Sequence, residues 1–282
     1  MGVDGKIYMP YSEALLGTYW PDAVQLVIAE EMGMKLEDVI VYYAPNYPNW
    51  NLGDASDRGS TTTWAAKEAA IQLRQQMLSL GAALLGTTPD QVDLIDSMLT
   101  LKSDPSKKVA PIGVGQLAVG YVGKPNVPFQ NDVIRTMNVD FCEVAVDPET
   151  GLVEILDFCS AHDFGKVIRP SSALGQLENA LTMNAGRALR EEVIWDEGTG
   201  VLLNGNMYEY GVPTSLDQPP IKPVAVETRC GGGAYGSTGV THAHINAGLI
   251  GIAIQNAIGK FIPMVPYTPD KILAALGKIK EG

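Results

Sequence analysis

A glycine-rich turn that leads into an apolar helix constrains this chain more than any other stretch. Glycines at positions 231, 232, 233, 236 and 239 allow close backbone approach and positive φ angles that other residues resist. After Thr241, His242 and His244 the chain continues as a small, apolar run up to Gly259, which predicts a buried helix. Such a turn can hold an anionic group on backbone N–H donors. The alternative is a loop that only joins two core elements, because glycine spacing alone is a weak signal.

The composition is that of a globular protein with one or two domains. The chain has 282 residues, of which 46% are hydrophobic and 18% are charged. A formal net charge of −12 without a basic patch argues against nucleic acid and anionic membranes as partners. Three widely spaced cysteines without a CxxC pair indicate reduced thiols and a cytoplasmic protein. We expect neither a signal peptide nor a membrane span, since the most apolar run contains His, Asn, Gln and glycines.

The predicted elements favour an α+β fold with two lobes, mixed sheets and long helices. Strands and helices alternate without the regular βαβ rhythm of a doubly wound sheet. We place the first lobe at residues 1–115 and the second at residues 116–282, and interpret residues 103–132 as a linker or surface loop. Helices are predicted over residues 21–32, 62–85, 171–189 and 270–279, and strands over 39–43, 92–102 (a pair), 139–146, 152–160 and 191–195.

Four polar loops precede predicted helices and are rich in small, hydrogen-bonding residues. Small polar residues at helix starts can bind phosphate oxygens, so four such loops together suit a large ligand rich in heteroatoms. Each loop alone is better explained by ordinary helix capping. The histidines at 242 and 244 lack an evident third ligand, so no metal site is predicted for them. The loops are Gly17-Thr18, residues 53–62, residues 161–176 and the turn at 236–241.

Taken together, these loops resemble the C-terminal half of the molybdenum-binding subunit of the xanthine dehydrogenase/aldehyde oxidase family, the molybdenum hydroxylases. The segment V-A-V-D-P-E-T-G-L-V-E-I-L-D-F-C-S-A-H-D-F-G-K-V-I-R-P, followed by G-Q-L-E, is similar to the family's EVDPETG…AHDxGxxxNPxxxxGQxEG stretch. L-G-D-A-S-D-R-G-S-T-T-T resembles the loop before its long helix, G-A-Y-G-S-T-G-V-T-H its PxGxKGVGE turn, and residues 267–273 its terminal TPEKVL. The resemblance covers nearly the whole chain and implies the fold of the family's second molybdopterin-binding domain.

The resemblance also implies which residues contact a molybdopterin cofactor. Gln176 matches a glutamine that contacts the pterin, and Thr18 replaces the glutamine of a G-Q-G loop, beside Gly17. The cofactor typical of bacterial members is molybdopterin cytosine dinucleotide with molybdenum. Further cofactor contacts are implied for Ser56, Asp57, Arg58, Gly59 and Ser60 in one loop, and for Ser237, Thr238, Gly239 and Thr241 in the turn.

The main departure from the family pattern is His242, which occupies the position of the catalytic glutamate. The lysine before the family's G-V-G is also replaced, by Thr238. His242 is the base of a hydroxylase, or the general acid/base of a hydration or reduction on the same cofactor, or only a substrate contact. An inactive scaffolding paralogue is a further alternative.

The resemblance finally implies partner subunits and a reaction. The family's molybdenum-binding subunit is much longer, so we expect a separately encoded subunit that pairs with an N-terminal molybdenum-binding subunit. Motifs of the iron–sulfur and flavin subunits are absent from this sequence, which implies a [2Fe-2S] subunit and an FAD subunit. The expected reaction hydroxylates an electron-poor carbon of a small-molecule substrate, with water as the oxygen source. The sequence names neither the substrate nor the electron acceptor.

Overall fold

The computed structural model describes residues 1–12, 20–45, 58–111, 136–240 and 247–280. The chain folds into two units, each assembled from three segments. The first unit contains Met1–Arg135, Phe164–Ser172 and Glu227–Gly239. The second contains Thr136–Asp163, Ala173–Val226 and Val240–Gly282. Two short segments from the second half of the chain therefore belong to the first unit, which a single boundary in the sequence does not anticipate.

Two long helices form the centre of the first unit, α1 (Trp20–Met32) and α2 (Arg58–Leu85), and they pack against each other. Their contact buries apolar side chains that include Val24, Met32 and Met77. Full burial of one such side chain contributes about 1.5–3 kcal/mol. Both predicted helices are confirmed, although α2 begins before the predicted residue 62.

Two small sheets complete the first unit. Strand β1 (Ile7–Tyr11) pairs in parallel with β2 (Val39–Tyr43), which packs on α1. Strands β3 (Val92–Ile95), β4 (Met98–Leu101) and β5 (Asp104–Val109) form an antiparallel meander beside α2. Strand β2 and the β3–β4 pair confirm the predictions, and β1 was not predicted. Strand β5 shows that interpreting residues 103–132 as a linker or loop was wrong at the start of that range.

A three-stranded sheet forms the centre of the second unit. Strands β6 (Asn138–Val146) and β7 (Val153–Asp163) form the predicted antiparallel hairpin, and β8 (Ile221–Val226) joins β7 in parallel. Phe158, Leu181 and Ile250 are among the buried side chains of its core. The helices in this part of the chain are α3 (Pro170–Leu189), the single turn α4 (Met207–Tyr210), α5 (Ala247–Ile258) and α6 (Pro269–Ala275).

The predicted strand over residues 191–195 is wrong. Within the described ranges this stretch makes only an isolated antiparallel bridge, between Trp195 and Leu202. The Ile194 amide donates to the side-chain oxygen of Asn204 at 2.9 Å, so a side chain satisfies a group that a neighbouring strand would otherwise bind. The last helix is also shorter than predicted, because it ends at Ala275.

The predicted α+β class with mixed sheets is confirmed. The predicted boundary between residues 115 and 116 falls among residues 112–135, which lie outside the described residues, and it stays a prediction. In the part of the chain that the structure describes, no helix is both long and apolar enough to cross a membrane.

We expect Gly33→Ala to destabilise the protein more than Gly86→Ala. Both glycines follow a helix with a φ of 66°, which costs alanine about 1–2 kcal/mol. A Cβ on Gly33 would also lie 1.9 Å from the Leu94 carbonyl oxygen, whereas one on Gly86 would meet no described atom within 4 Å. Because overpacking adds about 1–3 kcal/mol, urea unfolding should show a loss of about 2–5 kcal/mol for Gly33→Ala. Equal losses for the two variants would contradict the packing of the α1 end on β3.

Candidate functional site

The candidate site lies in the first unit, where the glycine turn, residues 229–239, meets the start of α2. The turn is closed by its own backbone. The Gly231 amide donates to the Gly236 carbonyl at 2.9 Å, and the Gly233 amide donates to the Ser237 carbonyl at 2.9 Å. These hydrogen bonds give the turn a compact shape of its own, as the glycine spacing predicts.

The hydroxyl of Thr63 connects the glycine turn to α2. It accepts a hydrogen bond from the Ala234 amide at 3.1 Å and lies 3.2 Å from the Ser237 hydroxyl. The same hydroxyl donates to the Gly59 carbonyl, four residues back along the helix, at 2.6 Å. Thr63 and Ser237 are buried, so these contacts are shielded from water. One side chain therefore joins the first turn of α2 to both ends of the Ala234–Ser237 segment.

Glycines allow the turn to approach the start of α2 very closely. A Cβ on Gly233 would lie 2.9 Å from the Ser60 Cα, so any side chain there would push the two segments apart. A Cβ on Gly59 would lie 3.4 Å from the Thr238 carbonyl oxygen and 3.5 Å from the Gly239 Cα. The structure thus brings together five residues predicted for cofactor contacts: Gly59, Ser60, Ser237, Thr238 and Gly239.

Residues 164–172 form a third part of the site. The Thr238 amide donates to the Phe164 carbonyl at 2.9 Å, and the Arg229 amide donates to the Gly165 carbonyl at 2.7 Å. Gly165 has a φ of 64°, and a Cβ on it would lie 1.9 Å from the Gly236 carbonyl oxygen. Only glycine fits such a position without displacing the backbone. The glycine turn is therefore held on two sides, by α2 and by this segment.

An ion pair at Glu227 strengthens the second of these contacts. Its carboxylate accepts hydrogen bonds from Lys166 Nζ at 2.9 Å and from the Val167 amide at 3.0 Å. These bonds favour the charged form, so Lys166, followed by the Val167 amide, lowers the pKa of Glu227 below its ordinary value. Because the pKa of this carboxyl is lower in the folded protein than in the unfolded chain, its ionised form stabilises the folded protein at pH values above the unfolded-state pKa. This contribution is lost as the pH falls through the folded-state pKa. At neutral pH the pair therefore orients the segment, although a solvated pair adds little stability.

Tyr235 links the tip of the glycine turn to both helices. It has a left-handed φ of 58°, a conformation that costs a non-glycine residue about 1–2 kcal/mol. The Lys67 ammonium lies 4.8 Å from the centre of its ring and 3.7 Å from the Glu31 carboxylate. Burial, with Glu31 as the next cause, raises the pKa of the Tyr235 hydroxyl. Backbone strain of this kind is maintained by surrounding contacts and is concentrated at functional sites.

The Ser60 hydroxyl is fully buried, yet it has no hydrogen-bond partner among the described residues. An unpaired buried hydroxyl costs about 1–3 kcal/mol. The amides in the first turn of a helix also lack intrahelical acceptors and carry partial positive charge. The first turn of α2 contains no acidic residue that would compete for them. Together these features suit a ligand that is anionic and rich in hydrogen-bond acceptors.

The other predicted site residues are not seen in this cluster. Gln176 lies on α3, in the second unit, and is half-buried; its cofactor contact stays a prediction. Arg58 is the first residue of α2, and its cofactor contact also stays a prediction. The predicted roles of Gly17, Thr18, Ser56, Asp57, Thr241 and His242 concern positions outside the described residues.

Sequence reasoning missed Thr63, whereas Phe164 and Gly165 lie within the predicted loop at residues 161–176. Thr63 lies one helical turn after Gly59, and this spacing was the available signal for a hydroxyl facing the helix start. Phe164 and Gly165 act through their carbonyl groups, which every residue type carries. The carbonyl acceptors themselves give no side-chain signal, although the left-handed φ and the close Gly236 carbonyl require a glycine at position 165.

A family model described as the molybdopterin cofactor-binding domain matches residues 17–219. Among curated relatives, the probable hypoxanthine oxidase XdhD of Escherichia coli strain K12 is 27% identical over 98% of this chain and 30% of its own length. The putative xanthine dehydrogenase molybdenum-binding subunit XdhA of the same strain is 26% identical over 96% of this chain and 38% of its own length. The chain thus spans about a third of the length of these relatives.

A solved structure shares the fold. The quinoline 2-oxidoreductase from Pseudomonas putida 86 superposes over 98% of this chain and 37% of its own, with a TM-score of 0.83. Sequence identity in this comparison is 23%, so the likeness concerns the fold alone.

We expect Thr63→Val to loosen the glycine turn while Thr63→Ser preserves it. Valine keeps the shape of threonine but leaves the buried Ala234 amide without its acceptor. An unsatisfied buried donor costs about 1–3 kcal/mol, and serine restores the hydroxyl. Urea unfolding should show this difference, and amide hydrogen exchange at Ala234 should become faster only in the valine variant. Unchanged exchange in Thr63→Val would contradict the role of this hydroxyl.

Proposed function

Because the chain belongs to the molybdopterin cofactor-binding domain family, we propose that it forms part of the molybdenum-binding subunit of an oxidoreductase. The proposed enzyme hydroxylates an electron-poor carbon of a small organic substrate, with water as the oxygen source. Relatives named as hypoxanthine oxidase and as a xanthine dehydrogenase subunit support this class of reaction. Since the chain spans about a third of their length, the activity belongs to an assembly larger than this region.

The buried, unpaired hydroxyl of Ser60 is the observation that carries the proposal. It lies at the start of α2, where the backbone amides offer further donors. A molybdopterin presents phosphate oxygens and ring heteroatoms, which are the acceptors that these donors lack. The residues present therefore fit the group.

Several residues would hold the cofactor in this proposal. Gly59 and Ser60 would donate from α2, and Ser237, Thr238 and Gly239 would line the other side from the glycine turn. When bound, molybdopterin with molybdenum supplies the two-electron redox chemistry of the hydroxylation. The buried contact between the Thr63 and Ser237 hydroxyls holds Ser237 beside the start of α2. From the sequence we add contacts by Gly17, Thr18, Ser56, Asp57, Arg58, Gln176 and Thr241, and the cytosine dinucleotide form of the cofactor.

We propose that His242 is the proton acceptor of the reaction. The residue follows the glycine turn and occupies the position of the family's catalytic glutamate. A neutral imidazole nitrogen can accept a proton from the water that supplies the oxygen. It brings no negative charge, so it should tolerate an anionic substrate better than a carboxylate does.

The same replacement favours a second candidate function. With histidine at position 242 and Thr238 where the family has lysine, the site is also suited to acid/base chemistry without hydroxylation, such as a hydration or a reduction. A hydratase would form product without reducing an artificial electron acceptor, whereas a hydroxylase would reduce one equivalent of a two-electron acceptor per turnover. A scaffolding paralogue would contain no molybdenum.

We also propose the partners that such an electron-transfer reaction needs. They are the remainder of the molybdenum-binding subunit, a [2Fe-2S] subunit and an FAD subunit. The relatives' greater length supports the first of these. A cytoplasmic location is supported by the three free cysteines, Cys142, Cys159 and Cys230.

Pterin and molybdenum content of the assembled complex tests the cofactor assignment. Ser60→Ala should weaken cofactor binding about 10–100-fold, because a hydrogen bond to a charged group is lost. In cofactor-free protein the same change should not lower stability, since this hydroxyl has no partner among the described residues. Gln176→Ala should also lower the bound pterin. Ser79→Ala, on the exposed side of the same helix, is the control. Full cofactor occupancy in both Ser60→Ala and Gln176→Ala would refute the assignment.

The turnover rate of His242 variants tests the proposed base. His242→Ala and His242→Gln should retain the cofactor but lose about 10²–10⁴-fold in rate, the usual effect of removing a general base. Rates are compared at equal molybdenum content, so that loss of cofactor is not mistaken for loss of proton transfer. A decrease of less than about tenfold would make His242 a structural residue.

A further inference from the structure

An ordered segment of the second unit exposes many apolar side chains. We call residues 191–217 the acidic arm, because six of its residues are acidic. The side chains of Trp195, Leu203, Met207, Tyr208 and Leu216 in this arm are between 56% and 95% exposed. Single exposed apolar residues are common on protein surfaces, whereas a contiguous exposed apolar patch marks an interaction site.

The acidic arm has a fixed shape of its own. The Leu203 amide donates to the Ile194 carbonyl at 2.8 Å, and the buried Asn204 side chain donates to the Glu192 carbonyl at 2.6 Å. Asn206 caps α4 by accepting from the amides of Tyr208 and Glu209. A surface that is ordered before it binds loses little conformational entropy on docking.

Contacts at its base anchor the acidic arm to α3. Arg190 forms an ion pair with Asp217 across the two ends of the arm. The Tyr210 hydroxyl donates to the Glu191 carboxylate at 3.2 Å. A Cβ on Gly186 would lie 2.6 Å from the Pro213 ring, so the arm lies directly on the helix. The exposed apolar side chains are therefore presented from a firm base.

The charge of the acidic arm restricts what can dock on it. It contains six acidic residues and no lysine or arginine, and so contributes half of the formal net charge of −12. Two basic residues outside the arm contact it. Arg190 forms an ion pair with Asp217, and the Lys271 ammonium lies 3.8 Å from the Glu192 carboxylate. A symmetric contact between two copies would bring both acidic surfaces together, which like-charge repulsion opposes. A complementary partner is apolar where it meets the arm and basic around that patch.

We propose that the acidic arm docks the part of the molybdenum-binding subunit that the relatives carry outside the region matched by this chain. In XdhD and XdhA the matched region makes up 30% and 38% of a longer chain, so in both it is joined to that remainder. Apolar side chains that are buried inside such a larger subunit are exposed in this region by itself. This inference rests on the proposed function and adds the surface through which the subunit is completed.

Photo-crosslinking in the native complex tests the inference. The complex is purified from the source organism through a tag on this chain, with p-benzoylphenylalanine in place of Tyr208 or Leu203. Irradiation should join either position to the remainder of the molybdenum-binding subunit, identified as a cross-linked peptide pair. A cross-linked peptide pair can be identified whether the remainder lies on the same polypeptide as the acidic arm or on a separate one. The same probe at Ile252 on α5, which is 57% exposed like Leu203, should give about tenfold less product.

A charge-introducing variant separates docking from mere proximity. Met207→Asp combined with Leu216→Asp should lower cross-linking from position 203 about tenfold or more. Ile252→Asp should leave it unchanged. Met207 and Leu216 are 79% and 95% exposed, so the thermal unfolding midpoint should stay at the wild-type value. Cross-links to a second copy or to an iron–sulfur polypeptide, no cross-link, or full cross-linking in the double variant would each overturn the inference.

Molybdenum and pterin are measured on the same preparation. A complex with the expected cross-link but without molybdenum would overturn the proposed function and leave the docking surface in place. A cofactor-loaded complex without the cross-link would overturn the docking surface alone.

Discussion

The hydrogen bonds of the Thr63 hydroxyl hold the candidate site together. They join α2 to Ala234 and Ser237, which lie 171 and 174 residues further along the chain. The Phe164 and Gly165 carbonyls fix the opposite side of the same turn. The site therefore exists only when the first unit has folded. Because Ser60 is left unpaired there, a ligand that satisfies it would stabilise the unit through linkage between binding and folding.

Much of the fold follows from sequence periodicity. The longer helices and the β6–β7 hairpin were predicted because apolar spacing and the D-P-E-T-G turn specify them locally, whereas the single turn α4 was not predicted. Strand β5 was not predicted, because its sequence D-P-S-K-K-V is polar and depends on pairing with β4. Strand β1 contains a proline, and it forms by pairing in parallel with β2, which follows α1 in the chain. In both cases tertiary pairing decides the structure of a segment with a weak pattern of its own.

The candidate site shows the same division between local and long-range information. Small polar residues at predicted helix starts, together with the family resemblance, pointed to Gly59, Ser60 and the 237–239 segment. The carbonyl acceptors at Phe164 and Gly165 could not be predicted, since backbone groups carry no sequence signature. The exposed apolar side chains of the acidic arm were also not anticipated. The stretch that ends at Trp195 was predicted as a strand, whereas the structure shows only an isolated bridge there and leaves Trp195 56% exposed.

The position of the pterin in the assembled complex tests the proposed site most directly. A crystal structure with anomalous scattering measured at the molybdenum absorption edge would locate the metal and the bound pterin. We expect an acceptor atom of the cofactor about 3 Å from the Ser60 hydroxyl oxygen, with the glycine turn still joined to Thr63. A fully occupied cofactor bound elsewhere, with the Ser60 hydroxyl still unpaired, would contradict the account.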